Sequence, residues 1–335
     1  MENESSKKFM KRNLKNVIVT GGAGFIGSHV VKTLNRVLPE TNVYIVDCLT
    51  YAGSMENVAG TESHLFYMDI RDRDVLENLE EYDIDAIIHL AAESHVDRSI
   101  EDPLVFVETN VIGTVNLLDL GLKYKKKNPD FIFYHISTDE VFGTLGFGDK
   151  PFNEETPYDP HSPYSASKAS SDHFVRAYAD TYGLNTLISN CSNNYGPNQY
   201  PEKLIPVVIK SLIERKPIPI YGKGENIRDW LYVEDHAEAI VEILQKGRFG
   251  ETYCIGGDCE LSNLDLVKRI ILKFDEIEKT YSTDLISFVT DRPGHDLRYA
   301  IDHSKLTKEI GWKPRYSLNY GLTSTVEWYI RYFKE

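Results

Sequence analysis

A glycine-rich turn near the N-terminus constrains the fold more than any other stretch of this chain. Residues 16–20 are apolar and β-branched and predict a strand, Gly-Gly-Ala-Gly-Phe-Ile-Gly follows at 21–27, and residues 28–37 have a helical pattern. Strand, glycine turn and helix in this order form the context of a dinucleotide site. One glycine makes the tight turn, one lets the backbone approach a pyrophosphate at the helix N-terminus, and one lets helix and strand pack closely.

An acid at the end of the next predicted strand indicates which dinucleotide binds. Strand 42–46 ends at Asp47, 20 residues after Gly27. A carboxylate in this place accepts hydrogen bonds from the adenosine ribose hydroxyls and repels a 2′-phosphate. The sequence therefore favours NAD over NADP. The alternative is a strand-end aspartate that turns the chain and binds nothing.

Strands and helices continue to alternate through the first half of the chain. The further predicted strands are 65–68, 86–90 and 130–135, and the further predicted helices are 71–80 and 103–124. Strands separated by helices predict an α/β protein with a Rossmann-type doubly wound parallel sheet. Asp69 is then expected near the adenine, and Ala91 and Ala92 are small residues where the cofactor passes close to the backbone.

A hydroxyl and two adjacent acids follow the predicted strand 130–135, at Thr138, Asp139 and Glu140. In an open parallel sheet, ligands lie outside the carboxyl ends of the strands. Two acids there can serve as a proton donor and a proton acceptor on one substrate. The alternative is a polar loop in which one acid caps the next helix. The position on the cofactor side of the sheet favours the catalytic interpretation.

Tyr164 and Lys168 lie four residues apart at the start of a predicted helix, with Ser162 as its N-cap and Pro163 as its first residue. This spacing places both side chains on one face. A free tyrosine has a pKa of about 10, and a neighbouring ammonium and the positive helix end both favour the phenolate. Tyr164 is therefore predicted to be the base for a sugar or alcohol hydroxyl. Such a pair is common by chance among 21 tyrosines, but here it accompanies a dinucleotide fold.

Composition narrows the classes of partner. The 335 residues suffice for one large or two moderate domains, and a net charge of −14 excludes a bulk attraction to nucleic acid or to an anionic membrane. We expect no apolar run of membrane-spanning length, and the polar residues 1–15 do not resemble a signal peptide. The four cysteines lack metal-ligand spacing, so we expect no metal site and a cytoplasmic location.

With residues 20–27 and Tyr164-x-x-x-Lys168, the chain resembles the extended short-chain dehydrogenase/reductase superfamily, whose sugar-nucleotide members are epimerases, dehydratases and decarboxylases. Further stretches narrow the resemblance to the dTDP-glucose 4,6-dehydratases; they are 47–53, 89–100, 136–143, 228–236 and 291–296. The resemblance covers nearly the whole chain from about residue 16, and the triplet 138–140 is its most specific part. One departure is Phe142, where relatives commonly carry tyrosine.

The resemblance implies a mechanism for the five predicted catalytic residues, Thr138, Asp139, Glu140, Tyr164 and Lys168. Tyr164 removes the C4 hydroxyl proton while hydride passes from C4 to NAD⁺, and Thr138 and Lys168 assist it. Glu140 then removes the C5 proton, and Asp139 protonates the C6 oxygen as water leaves. Hydride returns to C6, which leaves a 4-keto-6-deoxy sugar nucleotide and restores NAD⁺. The division of labour between the two acids rests on the resemblance.

The resemblance also implies the binding residues. The cofactor contacts are expected at Gly21, Gly24, Phe25, Ile26, Gly27, Asp47, Leu49, Thr50, Asp69, Ile70, Leu90, Ala91, Ala92, Thr109, Tyr164, Lys168 and Asn194. The substrate contacts are expected at Ser94, Thr138, Asn193, Lys203, Leu204, Pro219, Tyr221, Arg228, Asn263, Arg292 and His295. From the residues themselves, the five donors of Arg228 suit a diphosphate, and an ion pair with Asp229 is the alternative. Ser262 is expected to cap a helix beginning near Asn263.

Two domains are expected. An NAD-binding domain spans 14–190, with 226–255 returning to it, a smaller mixed α/β substrate domain comprises 191–225 and 256–335, and 1–13 form a loose extension. By resemblance we expect a homodimer through the helices around 103–124 and 162–182. The alternatives are a UDP-glucose 4,6-dehydratase, a nucleotide-sugar 4-epimerase or decarboxylase, and a non-catalytic NAD-binding subunit. The sequence alone does not separate dTDP from UDP as the carrier.

Overall fold

The computed structural model describes residues 12–280, 282–291 and 295–334. The predicted substrate residue Arg292 and residues 1–11 of the predicted extension lie outside this part of the chain.

The described chain contains twelve strands. They are β1 Asn16–Thr20, β2 Asn42–Asp47, β3 Ser63–Tyr67, β4 Ala86–His89, β5 Ile132–Thr138, β6 Asn185–Cys191, β7 Asn193–Tyr195, β8 Ile218–Tyr221, β9 Ile227–Tyr232, β10 Thr252–Ile255, β11 Glu260–Ser262 and β12 Ile286–Val289.

Eleven α-helices accompany these strands in the described chain. They are α1 Phe25–Val37, α2 Arg73–Leu76, α3 Val96–Glu101, α4 Pro103–Phe106, α5 Gly113–Lys127, α6 Pro163–Tyr182, α7 Leu204–Glu214, α8 Val233–Lys246, α9 Asn263–Glu278, α10 Ser304–Ile310 and α11 Leu318–Lys334. Short 3₁₀ helices lie at Met55–Val58, Glu77–Leu79, Asp139–Phe142 and Thr283–Leu285, and a π-helical segment at Val107–Ile112.

Seven parallel strands form the main sheet, in the order β10-β6-β5-β4-β1-β2-β3. The strand order reverses between β1 and β4, so a crevice opens there at the carboxyl edge of the sheet. The register aligns Thr20 with His89 and, one strand further, His89 with His135. The predicted Rossmann-type doubly wound sheet is confirmed.

Both faces of this sheet are buried. Val17 and Val19 of β1 belong to a core shared with α1 and α8, whereas Ile18 between them belongs to a core shared with α5. Alternate side chains of a strand point to opposite faces, so a strand covered on both sides needs a continuous apolar run. This explains why β1 has no polar alternation.

A smaller part of the molecule packs around two short sheets. One has the order β11-β9-β7 and the other pairs β12 with β8, and α7, α9 and α11 share a hydrophobic core with them. Within the predicted return segment 226–255, β9 pairs in the small sheet, while α8 packs against α1 and β10 joins the large sheet. The predicted domain limits stay a prediction.

The predicted helix 103–124 is one helical stretch, Pro103–Lys127, interrupted by a π-turn. The buried side chain of Asn110 in that turn bonds the backbone N–H and carbonyl of Glu93 and the hydroxyl of Ser167. Within the residues described, this stretch alone is long and apolar enough to cross a membrane by length and composition, and half of its most apolar window is buried. The expectation that no stretch reaches that length and composition was wrong.

Candidate active site

A cavity at the carboxyl edge of the large sheet crosses the point where the strand order reverses. Loops that follow β1, β2, β3, β4, β5 and β6 supply its walls, together with the start of α6. The five predicted catalytic residues all line it. Parallel strands end at one edge of a sheet, which is why residues far apart in sequence meet here.

The glycine turn after β1 forms one end of this cavity. Gly21 has a φ of +68°, and a Cβ added to it would lie 2.7 Å from the backbone nitrogen of Ala91. A Cβ on Gly27 would lie 2.1 Å from the carbonyl oxygen of Gly21. Helix α1 begins after Gly24 with no capping side chain and no acid in its first turn. Its N–H groups and positive dipole end therefore suit a diphosphate.

Asp47 connects the glycine turn to the end of β2. Its carboxylate accepts hydrogen bonds from the backbone N–H of Ala23 at 3.0 Å and of Leu49 at 2.8 Å, and burial raises its pKa. Leu49 is the one predicted cofactor residue that does not line the cavity. Nearby, Asp69 accepts hydrogen bonds from the Arg71 guanidinium, which lowers the pKa of Asp69. These residues fit a nucleoside with free ribose hydroxyls.

Thr138 ends β5 and positions the two acids that follow. Its hydroxyl accepts a hydrogen bond from the backbone N–H of Glu140 and donates one to the carboxylate of Asp139, both at 3.3 Å. The short 3₁₀ helix is followed by Gly143, which has a φ of +86°. A Cβ added to Gly143 would lie 2.6 Å from the carbonyl oxygen of Asp159, so a side chain is excluded there. The alternative, in which one of the acids caps the next helix, does not describe this turn: Thr138 caps it, and Ser162 caps α6.

Asp139 and Glu140 lie in different environments. Asp139 is buried, and its Oδ2 atom has no hydrogen-bond partner in the described part of the protein. Burial, followed by the charges of Glu140 and Asp229, raises the pKa of Asp139 well above its ordinary value. Glu140 is half-buried and faces the cavity. These surroundings therefore favour the protonated form of Asp139, which the sequence did not show.

The pKa of Tyr164 differs from the prediction. Burial, with the charge of Glu140 next, raises it well above its ordinary value, and a hydrogen bond from Thr138 only partly opposes this shift. The expected net lowering of the Tyr164 pKa is therefore not found in this structure, in which the Lys168 ammonium donates to the carbonyl oxygen of Ile136 at 2.8 Å. Burial lowers the pKa of Lys168 itself to about 8.

Part of the predicted substrate set lies in the same cavity. Ser94, Asn193 and Lys203 line it, and the Lys203 ammonium donates to the carbonyl oxygen of Ser94 at 3.2 Å. Asn194 also lines it, and its side-chain oxygen lies 2.9 Å from Nδ1 of the buried His236.

The other predicted substrate residues do not line this cavity; they are Leu204, Pro219, Tyr221, Arg228, Asn263 and His295. Arg228 is buried, stacks on the ring of Tyr299 at 4.2 Å and donates to the carbonyl oxygen of Asp296 at 3.0 Å. The alternative, an ion pair between Arg228 and Asp229, is not formed in the described part of the chain. The two carboxylate oxygens of Asp229 accept hydrogen bonds from the backbone N–H groups of Gly257 and Cys259 instead. Arg228 still acts to lower the pKa of Asp139, so its charge is felt by one of the two predicted acids.

The two serines predicted to cap helices, Ser262 and Ser162, both do so. Ser262 caps α9, accepting a hydrogen bond from the backbone N–H of Asp265 at 3.0 Å. The ring of Tyr221, which is 43% exposed, meets that of His295 edge-on at 6.3 Å. Ser162 forms a capping box with Ser165 at the start of α6, as predicted for the helix that carries the tyrosine.

Sequence reasoning missed a polar cluster beneath the site. Asp172, His135 and Asn190 are fully buried behind Lys168, and Tyr158 closes the cluster on the outer side. A pattern that indicates it is present in α6, where Lys168, Asp172 and Arg176 recur every four residues on one face.

Comparisons with known proteins agree with this geometry. A family model described as GDP-mannose 4,6 dehydratase matches residues 18–325. A dTDP-glucose 4,6-dehydratase of Salmonella typhimurium is 51% identical over 94% of this chain and 92% of its own length, and one of Neisseria meningitidis is 49% identical over 95% and 94%. The crystal structure of DesIV, a dTDP-glucose 4,6-dehydratase from Streptomyces venezuelae with NAD and TYD bound, superposes with a TM-score of 0.87 at 42% identity, covering 94% of this chain and 97% of that one.

Proposed function

The chain belongs to the GDP-mannose 4,6-dehydratase family. From its similarity to dTDP-glucose 4,6-dehydratases, we infer that it is an NAD-dependent hydro-lyase acting on dTDP-glucose. Its product is dTDP-4-keto-6-deoxyglucose, a precursor of deoxysugars. The observation that carries this inference is the pair of adjacent acids at the sheet edge, one buried with a raised pKa and the other facing the cavity. Removal of water from C5 and C6 requires both a base and an acid on one substrate.

The cofactor is NAD. We propose that the turn with Gly21 and Gly24 and the start of α1 hold its diphosphate, and that Asp47 holds the adenosine ribose. When bound, NAD⁺ supplies a hydride acceptor for C4 and later a hydride donor for C6, and it also brings positive charge into the site. The remaining chemistry belongs to side chains of this chain.

Tyr164 takes the proton of the C4 hydroxyl in the first half of the reaction. Its pKa is raised by burial and by Glu140, so positive charge beside the phenol is needed to ionise it. Lys168, one helical turn further along α6, is placed to provide that charge. Each pKa unit by which the phenol is lowered corresponds to about 1.4 kcal/mol. A hydrogen bond with the Thr138 hydroxyl, which lines the same cavity, also lowers the pKa of Tyr164.

Glu140 and Asp139 carry out the elimination. Oxidation at C4 makes the C5 proton acidic, and Glu140 faces the cavity as the carboxylate that removes it. Asp139 retains its proton because burial and two neighbouring carboxylates disfavour its ionised form, so it can protonate the departing C6 oxygen. The two adjacent acids thus act in opposite senses because their surroundings differ.

The rival reactions use less of this site. A 4-epimerase or a decarboxylase needs the glycine turn, Tyr164 and Lys168, but it expels no water and has no use for a protonated Asp139. A non-catalytic NAD-binding subunit needs neither acid. The UDP carrier is tested by offering dTDP-glucose and UDP-glucose in one competition assay.

The reaction is tested with dTDP-glucose deuterated at C4. Transfer within the enzyme places the deuterium at C6 of the product, which mass spectrometry and NMR detect. Loss of the label to solvent, or recovery of a 4-epimer without dehydration, contradicts the assignment.

We also propose that the protein is a homodimer in the cytoplasm, with the domain limits given above. The support for the dimer is a set of exposed apolar side chains on the stretch Pro103–Lys127 and on α6; they are Leu104, Val107, Ile112, Phe174 and Tyr182. Such side chains on neighbouring helices suit a helical contact between two copies. Light scattering after size exclusion measures the mass, and substitution of Leu104 by Glu is expected to yield the monomer.

A further inference from the structure

Asp172 is a fully buried carboxylate that the steps above do not use. It lies on α6 one turn after Lys168 and one turn before Arg176. Burial alone raises the pKa of a carboxyl group, yet the pKa of Asp172 is lowered by His135, Lys168 and Tyr158 together. Asp172 is therefore an ionised group inside the protein, directly beneath the candidate site. A buried charge of this kind is costly unless its partners are in place.

The partners of Asp172 come from both segments that carry the catalytic residues. Its Oδ2 atom accepts hydrogen bonds from the Ser137 hydroxyl at 2.9 Å, from the Tyr158 hydroxyl at 2.7 Å and from the Asn190 amide at 3.3 Å. The same Asn190 amide donates to the carbonyl oxygen of Thr138 at 3.0 Å. Asp172 thus connects the end of β5, which presents the two acids, to α6, which presents the tyrosine and the lysine.

The ring of His135 lies between the other carboxylate oxygen of Asp172 and the ammonium of Lys168. Nε2 of His135 lies 3.2 Å from Oδ1 of Asp172 and 3.4 Å from Nζ of Lys168. This ring nitrogen thus lies between an ammonium and a carboxylate, and it can accept a hydrogen bond from the ammonium. Oδ1 of Asp172 has no hydrogen-bond partner among the described residues, so on this side the carboxylate acts through its charge.

We propose that Asp172 is a positioning residue, which acts as the buried counter-ion of Lys168 and holds its ammonium in place beneath Tyr164. This inference deepens the proposed function and rests on it for the role of Lys168. Its geometric part, a carboxylate that keeps the lysine charged, does not depend on which substrate binds.

The charged state of Lys168 depends on groups from four elements. His89 of β4 and His135 of β5 have pKa values lowered by burial, and burial raises the pKa of the Cys191 thiol of β6, so all three are neutral near pH 7. On α6 itself, burial likewise keeps Tyr164 neutral. Asp172 is the ionised member of this set, and it raises the pKa of Lys168 against the larger effect of burial, which lowers it to about 8.

Because the charge of Asp172 raises the pKa of Lys168, removing this charge lowers that pKa further, and the ammonium is lost at a lower pH. An opposite charge in close proximity shifts a pKa by about one to three units. The Asp172→Asn variant is therefore expected to move the titration midpoint of Lys168 down by about one unit or more.

The experiment measures this midpoint directly, without turnover. The protein is labelled with lysine carrying ¹³C at Cε, the Lys168 signal is identified by its loss in Lys168→Met, and its chemical shift is followed with pH. A lower midpoint in Asp172→Asn supports the proposal, and an unchanged midpoint overturns it. Tyr158→Phe is the matched control, because it removes one hydrogen bond to Asp172 while the carboxylate remains, and its midpoint should stay close to the wild-type value.

A second measurement covers the case in which Asp172→Asn does not fold. Asp172→Glu disturbs the hydrogen bonds to Ser137 and Tyr158 but keeps the charge, so the Lys168 midpoint should remain near that of the wild type. A midpoint that falls in this variant overturns the proposal, since a purely structural role makes both variants alike. Alkaline loss of dTDP-glucose dehydration should shift in parallel; wild-type protein that titrates as expected but does not dehydrate dTDP-glucose refutes the proposed function instead.

Discussion

Asp139 and Glu140 are consecutive residues, yet Asp139 is buried, with one carboxyl oxygen that has no partner in the described chain, while Glu140 is half-buried and faces the cavity. Burial and the charge of Glu140 are the two largest reasons for the raised pKa of Asp139. The charge of Glu140 thus helps to keep a proton on Asp139. Substitutions that preserve shape but remove the acid group should separate their roles.

Asp139→Asn should block the loss of water but not the first oxidation. The amide keeps the volume of the buried side chain and has no acidic proton to give to the C6 oxygen. General acid catalysis is worth about 10²- to 10⁴-fold, so the dehydration rate should fall by that factor. NADH absorbance in a single turnover measures the retained oxidation step. Dehydration at the wild-type rate contradicts the donor role.

Glu140→Gln should suppress removal of the C5 proton. We expect a fall of about 10²- to 10⁴-fold in the exchange of this proton with solvent deuterium, measured by mass spectrometry of recovered sugar. Because Glu140 raises the pKa of Tyr164, its removal should also lower that pKa. The exposed Glu155→Gln is the matched control and should exchange at the normal rate.

Gly27→Ala should destabilise the protein, since the new methyl group would meet the carbonyl oxygen of Gly21 at 2.1 Å. Overpacking of this kind costs about 1–3 kcal/mol. Urea denaturation measures the loss, and retention of NAD after gel filtration should fall with it. Gly148→Ala is the control, because a Cβ there meets no atom within 4 Å. Equal effects of both substitutions contradict the packing argument.

Stability should fall as the pH is lowered from about 6.5 to about 4. Burial lowers the pKa of His29 and of His135 to about 4 and that of His236 to about 3. In this window the unfolded chain binds protons that the folded protein excludes, so the free energy of unfolding decreases with falling pH. Each of these histidines contributes about 1–3 kcal/mol.

Urea denaturation at pH 7 and pH 5 tests this dependence. His236→Gln should reduce the difference between the two values, whereas the exposed His64→Gln should leave it unchanged. A wild-type protein that is equally stable at both pH values refutes the prediction.

Much of the fold was predictable because its determinants are local. The glycine turn, Ser162 as a cap, and the face shared by Tyr164 and Lys168 each follow from backbone geometry within a few residues. The π-turn around Asn110 was not predictable in this way. It depends on hydrogen bonds from that side chain to Glu93 and Ser167, which come from other parts of the chain.

The residues of the candidate site also fall into two groups, those whose position local patterns predicted and those whose position they did not. The pattern predicted that Thr138, Asp139, Glu140, Tyr164 and Lys168 meet, and all five line one cavity. It did not predict the outer residues well, since Arg228 and Tyr221 lie away from that cavity. Their positions depend on how the small sheets pack beside the large one, which no spacing along the chain specifies.

By itself the sequence determined the doubly wound sheet, the dinucleotide turn and which side chains meet at the sheet edge, because strand alternation, glycine conformation and four-residue spacing act over short distances. The tertiary structure alone decided the surroundings that shift the pKa values of those side chains. The pKa of Asp139 depends on burial, on Glu140 and on Asp229, and that of Lys168 on burial and on Asp172. Desolvation and charge act through space, so these pKa values depend on groups that only the folded chain brings together.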